Sequence, residues 1–174
     1  MSEQYPGVQP PPHEMYKWGD YMTANFTEGV LVGYRWFDAM AVKPAFPFGF
    51  GLSYTDFKFK DFAAQCADGN IVVSLTVENV GDRDGKAVPQ LYVSFDSLKP
   101  ALRQLKGFQK VDIPKGAEAN VVFAVTEKDA SYYDSKEKRW VSAQEKHETV
   151  TVSVGSSSAH LLFHEGLDCG SPQP

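Results

Sequence analysis

Several residue sets have types and spacings that could do chemistry. Asp82-Arg83-Asp84-Gly85 opens like a calcium loop, whose spaced carboxylates wrap a hard cation. The downstream acidic ligands and the closing bidentate Glu are missing, so the segment reads as a tight polar turn. His160 and His164 have the i, i+4 spacing that sets two imidazoles on one helix face, but no helical period surrounds them. His13 and His147 also fall in loops, and no metal site is expected. Gly49-Phe50-Gly51 lacks the third glycine and the preceding strand of a dinucleotide cradle, so no cofactor is expected. No Gly-x-Ser-x-Gly elbow occurs, and Glu145-Lys146-His147-Glu148 reads as a solvated turn rather than an acid/base pair. Cys66 and Cys169 fit no metal-ligand spacing. They read as two separate thiols of a reducing compartment, with a disulfide that ties down the C-terminal tail as the alternative. Asn25-Phe26-Thr27 is a glycosylation acceptor, which matters only on a secretory route.

The elements that would position such groups are strands. Ile71, Val73, Leu75 and Val77 alternate with Val72, Ser74, Thr76 and Glu78, and the pattern returns in Phe57/Phe59, Leu91/Val93/Phe95, Val121/Phe123/Val125 and Val150/Val152/Val154. Further strands are expected over 106–113 and around Trp140-Val141. Turn signals separate them: Asp68-Gly69-Asn70, residues 81–85, Pro114-Lys115-Gly116 and the charged stretch 135–139. Six or seven short half-buried strands without helical periods predict an all-β fold, an antiparallel sandwich of immunoglobulin-like type. Val73, Leu75, Tyr92, Val93, Phe123 and Val152 are expected in its core, although alternation sets Tyr92 on the phase opposite Leu91 and Val93. Pro89 sits at a strand start, so that strand begins there or lies at an edge.

Residues 1–54 differ. They hold Pro10-Pro11-Pro12 and 12 of the 23 aromatic residues, and form an irregular aromatic-rich extension before a sandwich over 55–164 and a tail over 165–174. One strand is expected at 29–37, where Val30, Val32 and Tyr34 alternate with Leu31, Gly33 and Arg35. The balance of 17 Lys plus Arg against 22 Asp plus Glu argues against a nucleic-acid partner. No apolar run approaches a membrane span, and the first residues lack a signal peptide's basic and apolar regions, which favours the cytoplasm if Met1 is the native start.

The string Glu28-Gly-Val-Leu-Val-Gly-Tyr-Arg-Trp-Phe-Asp38, followed by Phe46-Pro-Phe-Gly-Phe-Gly-Leu-Ser-Tyr-Thr55, resembles the C-terminal part of family 3 glycoside hydrolases, the β-glucosidase and β-xylosidase group. The likeness continues in order through Val77–Gly85 with its Asn-x-Gly-x-x-x-Gly turn, Pro89–Val93, Leu105–Val111, Ser131–Asp134 and Val154–Ser158. It implies the end of an α/β domain followed by a fibronectin type III-like domain. It also implies a buttressing role, with a separate catalytic domain or carbohydrate as partner. Ala143-Gln-Glu-Lys-His147 departs from the family's usual Pro-Gly-Glu-Tyr-like turn. The family's nucleophilic Asp and acid/base Glu lie in domains upstream of this region, and a retaining glycosidase needs both. Neither maps onto a residue here, so no catalytic residue is assigned and no glycosidase activity is expected of the chain alone.

Two other readings stand beside a non-catalytic module: a structural partner of a separate catalytic chain, and a free-standing protein that binds, or even acts on, a small apolar molecule. In the last, Tyr16, Trp18, Tyr34, Trp36 and Phe48 would supply ring walls, with Arg35 and Asp38, and also His13, Asp20 and Glu28, as polar groups. The rings of Trp18, Tyr34, Trp36, Phe46, Phe48 and Phe50 exceed the apolar patch a soluble monomer usually exposes, which points to a homodimer or a ligand pocket.

Overall fold

Period-two stretches bury one face only by pairing side by side, and the chain does this in two layers. A computed structural model describes residues 28–67, 70–95, 98 and 103–169. They belong to two compact units that divide between Lys43 and Pro44.

In the first unit the helix α1 (Tyr34–Ala39) replaces the strand expected over 29–37. Gly29 and Gly33 take positive φ, which breaks an extended run, and no described strand pairs with this stretch. Gly33 precedes the first turn, and its carbonyl accepts from the N–H groups of Trp36 and Phe37.

The second unit is the expected all-β sandwich. Its strands are β1 (Phe57–Ala67), β2 (Asn70–Asn79), β3 (Gly85–Ala87), β4 (Gln90–Phe95), β5 (Gln104–Phe108), β6 (Val111–Ile113), β7 (Glu118–Val125), β8 (Ser131–Asp134), β9 (Arg139–Ser142), β10 (Thr149–Ser157) and β11 (His160–Asp168). One antiparallel sheet has the order β1-β2-β7 and faces a second of order β11-β10-β4-β5. The short pairs β3-β6 and β8-β9 complete the described strands. The single strand expected over 106–113 is thus two, parted at Gln109-Lys110, and the halves join different partners. Pro89 precedes β4, which begins at the next residue and lies inside its sheet.

Between the sheets lie Ile71, Val73, Leu75, Val77, Leu91, Val93, Phe95, Val121, Phe123, Val125, Val150, Val152 and Val154, all buried. These are the residues that the alternation assigns inward. Tyr92 is buried too, but on the other face of β4, outside the intersheet cluster, where its hydroxyl donates to Gln90 Oε1 at 2.6 Å.

A bulge shapes β1. Lys60 pairs with Thr76 and Ala63 with Ser74, so Asp61 and Phe62 together oppose Leu75, and Asp61 takes a φ of 52°. The extra residue shifts the inward phase from Phe57 and Phe59 to Phe62, Ala64 and Cys66, all packed against the core. Phe62 stacks on Phe163 of β11 at 5.0 Å. Cys66 reaches Cys169, and the two form a disulfide with Cα atoms 5.6 Å apart. The expectation of two separate thiols is therefore corrected. The phase shift turns Cys66 inward beside the last strand, where the residue after β11 can meet it.

The β8-β9 hairpin turns through residues 135–138. Arg139 grips Glu145 with two bonds, at 2.9 and 2.6 Å, and also meets Glu137 at 2.6 Å; Lys146 reaches Glu137 at 2.8 Å. Lys146 and Arg139 hold the Glu137 carboxyl below its usual range, and Arg139 does the same to Glu145.

Two outcomes follow from this packing. Phe123→Ala should cost roughly 3–5 kcal/mol in denaturant unfolding, since the ring is buried and touches the tight β5 approach at Gly107. A thiol reagent should find no free cysteine in the native chain. Cys66→Ser should lower stability by about 2–5 kcal/mol, because the disulfide closes a sequence separation of 103 residues.

Candidate functional site

The segment 46–55 is a strap laid on the sandwich and fixed at both ends by buried polar groups. At one end, Gln90 Nε2 donates to the carbonyls of Gly49 at 3.0 Å and Ser156 at 2.8 Å, while its Oε1 accepts from Tyr92. Ser158 N–H donates to the Phe48 carbonyl at 2.9 Å. A side chain at Gly49 would overlap the Gln90 carboxamide, and its φ is 79°, so glycine is required there twice over.

At the other end Asn79, 1% exposed, uses its whole carboxamide. Oδ1 accepts from Thr55 Oγ1 at 2.7 Å and Gly81 N–H at 3.2 Å; Nδ2 donates to the carbonyls of Arg83 at 2.7 Å and Ile113 at 2.9 Å. The Thr55 side chain lies where a Cβ on Gly81 or Gly85 would fall. The spacing Asn79-x-Gly81-x-x-x-Gly85 is thus a socket for one threonine.

Between the anchors the apolar side chains face out. Leu52 is 92% and Tyr54 91% exposed, and Phe46, Phe48 and Phe50 are exposed as well, with Phe46 and Phe50 in ring contact at 5.6 Å. An exposed apolar run of this kind on a polar-pinned backbone suits a docking surface.

The other candidate residues are placed as follows. Tyr34, Arg35, Trp36 and Asp38 share α1. There Trp36 is buried and meets Phe37 edge-on at 5.2 Å, and the Arg35 guanidinium lies 6.0 Å from the Tyr34 ring centre. Phe48 belongs to the strap of the second unit. Tyr16 and Trp18, with His13 and Asp20, lie outside the described residues, and Glu28 begins them. Asp84 of the calcium-like turn accepts from Lys115 N–H at 2.8 Å. His160 and His164 lie on β11, each on its own serine: Ser156 at 2.8 Å and Ser153 at 2.9 Å. Among the described residues no group of three His, Cys, Asp or Glu side chains could hold a metal, and no helix is long and apolar enough to cross a membrane. No local pattern singles out Gln90, Thr55 or Leu52, although all three fall inside the family-like strings. The usable signal was the pair of glycine-spaced runs, whose glycines mark close approach of another chain segment.

Two facing antiparallel sheets in this order, with a glycine-bearing turn after the second strand, define a fibronectin type III-like sandwich. Residues 87–158 match the sequence profile of the fibronectin type III-like domain. The chain as a whole resembles the C-terminal region of family 3 glycoside hydrolases. It is 38% identical to probable β-glucosidase D of Emericella nidulans, over 80% of this chain and 20% of that protein. Thermostable β-glucosidase B of Acetivibrio thermocellus is 35% identical over 88% of this chain and 21% of its own length. The solved β-glucosidase of Chaetomella raphigera superposes with a TM-score of 0.77 at 32% identity, covering 83% of this chain and 23% of that one. The chain therefore spans about a fifth of the length of the curated relatives it matches.

Gln90→Ala should free the strap: amide exchange at Gly49 and Phe50 rises sharply, while exchange in β2 and β10 stays slow. The stability loss should be roughly 1–3 kcal/mol, the cost of leaving buried carbonyls unpaired.

Proposed function

We propose that this chain is a non-catalytic fibronectin type III-like module that docks, through its strap, against the catalytic part of a β-glucosidase-type protein. The observation that carries the reading is the strap: buried polar side chains fix its backbone while Phe46, Phe48, Phe50, Leu52 and Tyr54 are held out to solvent. A free-standing domain gains nothing from rigidly presenting a row of apolar groups to water. A module that must be covered does, because its contact surface is organised before contact and loses little entropy on docking. The relatives' names support the chemistry of the partner, and the chain matches only about a fifth of each of them. On this reading both glycosidase carboxylates lie outside the matched region, and hydrolysis belongs to the part that docks.

The test is a chimera in which the matched segment of Emericella nidulans β-glucosidase D is replaced by this chain. The chimera should be soluble and hydrolyse a nitrophenyl β-glucoside, and the chain alone should not. Leu52→Asp with Tyr54→Asp should leave the isolated chain's thermal midpoint nearly unchanged, since both side chains are more than nine-tenths exposed. In the chimera the same pair should cut the yield of active enzyme roughly tenfold or more, as expected for contact residues worth about 2 kcal/mol each. Turnover by the isolated chain, or a chimera indifferent to the two charges, overturns the reading.

A further inference from the structure

One side of the sandwich is closed by side chains alone. There β1 and β11 are edge strands of opposite sheets, and among the described residues no backbone ladder joins them. Phe62 and Phe163 stack across this seam with ring centres 5.0 Å apart, and Cys66 is bonded to Cys169, the residue that follows β11. The strand β11 itself is lightly held. No residue from His160 to Asp168 is fully buried, whereas its ladder partner β10 places Val150, Val152 and Val154 in the core. An edge strand with one ladder and little buried apolar surface opens at low cost unless something else holds it.

The two ends of β11 are held differently. At the hairpin end the backbone of His160 and Leu161 lies so close to Gly155 that a Cβ there would overlap it, and the His160 N–H donates to Ser157 Oγ at 3.1 Å. At the far end Leu167 and Cys169 pack only on the margin of the core, and the one covalent tie is the bridge. Neither cysteine is fully buried, and the adjacent Gln65 and Asp168 are exposed, so a small dithiol has access from solvent. Its thiolate attacks one bridge sulfur, forming a mixed disulfide and expelling the other cysteine as thiolate. The reagent's second thiolate then closes on the first and frees the remaining cysteine. Two electrons and two protons pass to the protein, and the dithiol leaves as a cyclic disulfide.

We infer that the Cys66–Cys169 bridge is a redox latch on the C-terminal half of β11: intact, it holds the strand across the seam; reduced by a dithiol, it releases residues 163–168 while the rest of the sandwich stays folded. The released end is then open to trimming from the C-terminus, so the redox state of one bond sets the chain's resistance to exopeptidases. The inference does not rest on the docking reading, because the strap fastenings at Gln90, Ser158 and Asn79 involve no residue of β11.

The experiment compares the full isotope-labelled wild-type chain by NMR before and after dithiothreitol treatment in the absence of denaturant. In the reduced chain the cross-peaks between the Phe62 and Phe163 rings should vanish. The backbone shifts of 163–168 should move to random-coil values, while those of β2, β4, β7 and Gly49 stay in place. Amide exchange over 163–168 should rise about tenfold or more and be insensitive to low urea, the mark of a local opening rather than global unfolding. A carboxypeptidase should cut into β11 in the reduced chain and stop short of Cys169 in the oxidised one. Oxidised dithiothreitol should restore the first spectrum and the resistance. Because the wild-type chain is used throughout, the result does not depend on how well a cysteine variant folds. A reduced chain that keeps the Phe62–Phe163 cross-peaks, one that unfolds as a whole, or a bridge that dithiothreitol opens only in denaturant overturns the proposal.

Discussion

The carboxamide of Asn79 joins pieces of chain that are otherwise far apart in sequence: Thr55 at the end of the strap, the turn at Gly81 and Arg83, and Ile113 at the end of β6. Its backbone joins in, with N–H given to the Ala117 carbonyl and C=O taking the Gly116 N–H. A buried amide is costly unless every donor and acceptor is met, and here each one is. Losing any one of these partners would leave one buried donor or acceptor position unmet. The arrangement therefore fixes the strap, the β2–β3 turn and the β6–β7 turn as a single choice. The apolar core could tolerate small changes of shape; this junction could not.

That constraint explains an otherwise odd division of labour in residues 46–55. The segment contributes little to the intersheet core, yet it engages two buried side-chain amides, of Gln90 and Asn79. Polar groups are used inside to hold apolar groups outside, the reverse of ordinary burial. The glycines at 49, 81 and 85 are required because these amides and Thr55 come within overlap distance of the backbone there.

The sandwich was legible because alternation is a direct consequence of strand geometry, and Ile71–Val77, Val121–Val125 and Val150–Val154 keep phase without interruption. What was hidden was where phase breaks. The inward set of β1 switches from odd to even at Asp61, and a reader following Phe57 and Phe59 meets polar Asp61 and stops. The same switch hid the cysteine pairing, because only the shifted phase turns Cys66 inward. The helix at Tyr34–Ala39 takes the place of the strand expected over 29–37 because apolar residues fall on both alternation phases of 29–37, which suits a short helix as well as a covered strand. For the candidate site, the aromatic richness of the first 54 residues was visible. The pinning of Phe48 and Gly49 depends on Gln90 and Ser158, far along the chain, and no local pattern announces that.

The Cys66–Cys169 link also fixes how the second unit would bear mechanical load. Tension entering past residue 169 crosses at once to Cys66 and leaves through β1 toward the strap, so β2 to β11 are bypassed by a covalent bridge. The first elements to feel a pull are the Phe57–Gln65 part of β1 and then the Thr55 and Gly49 fastenings. Force would peel the strap and one edge strand, and the remaining sheets would keep their shape beneath it.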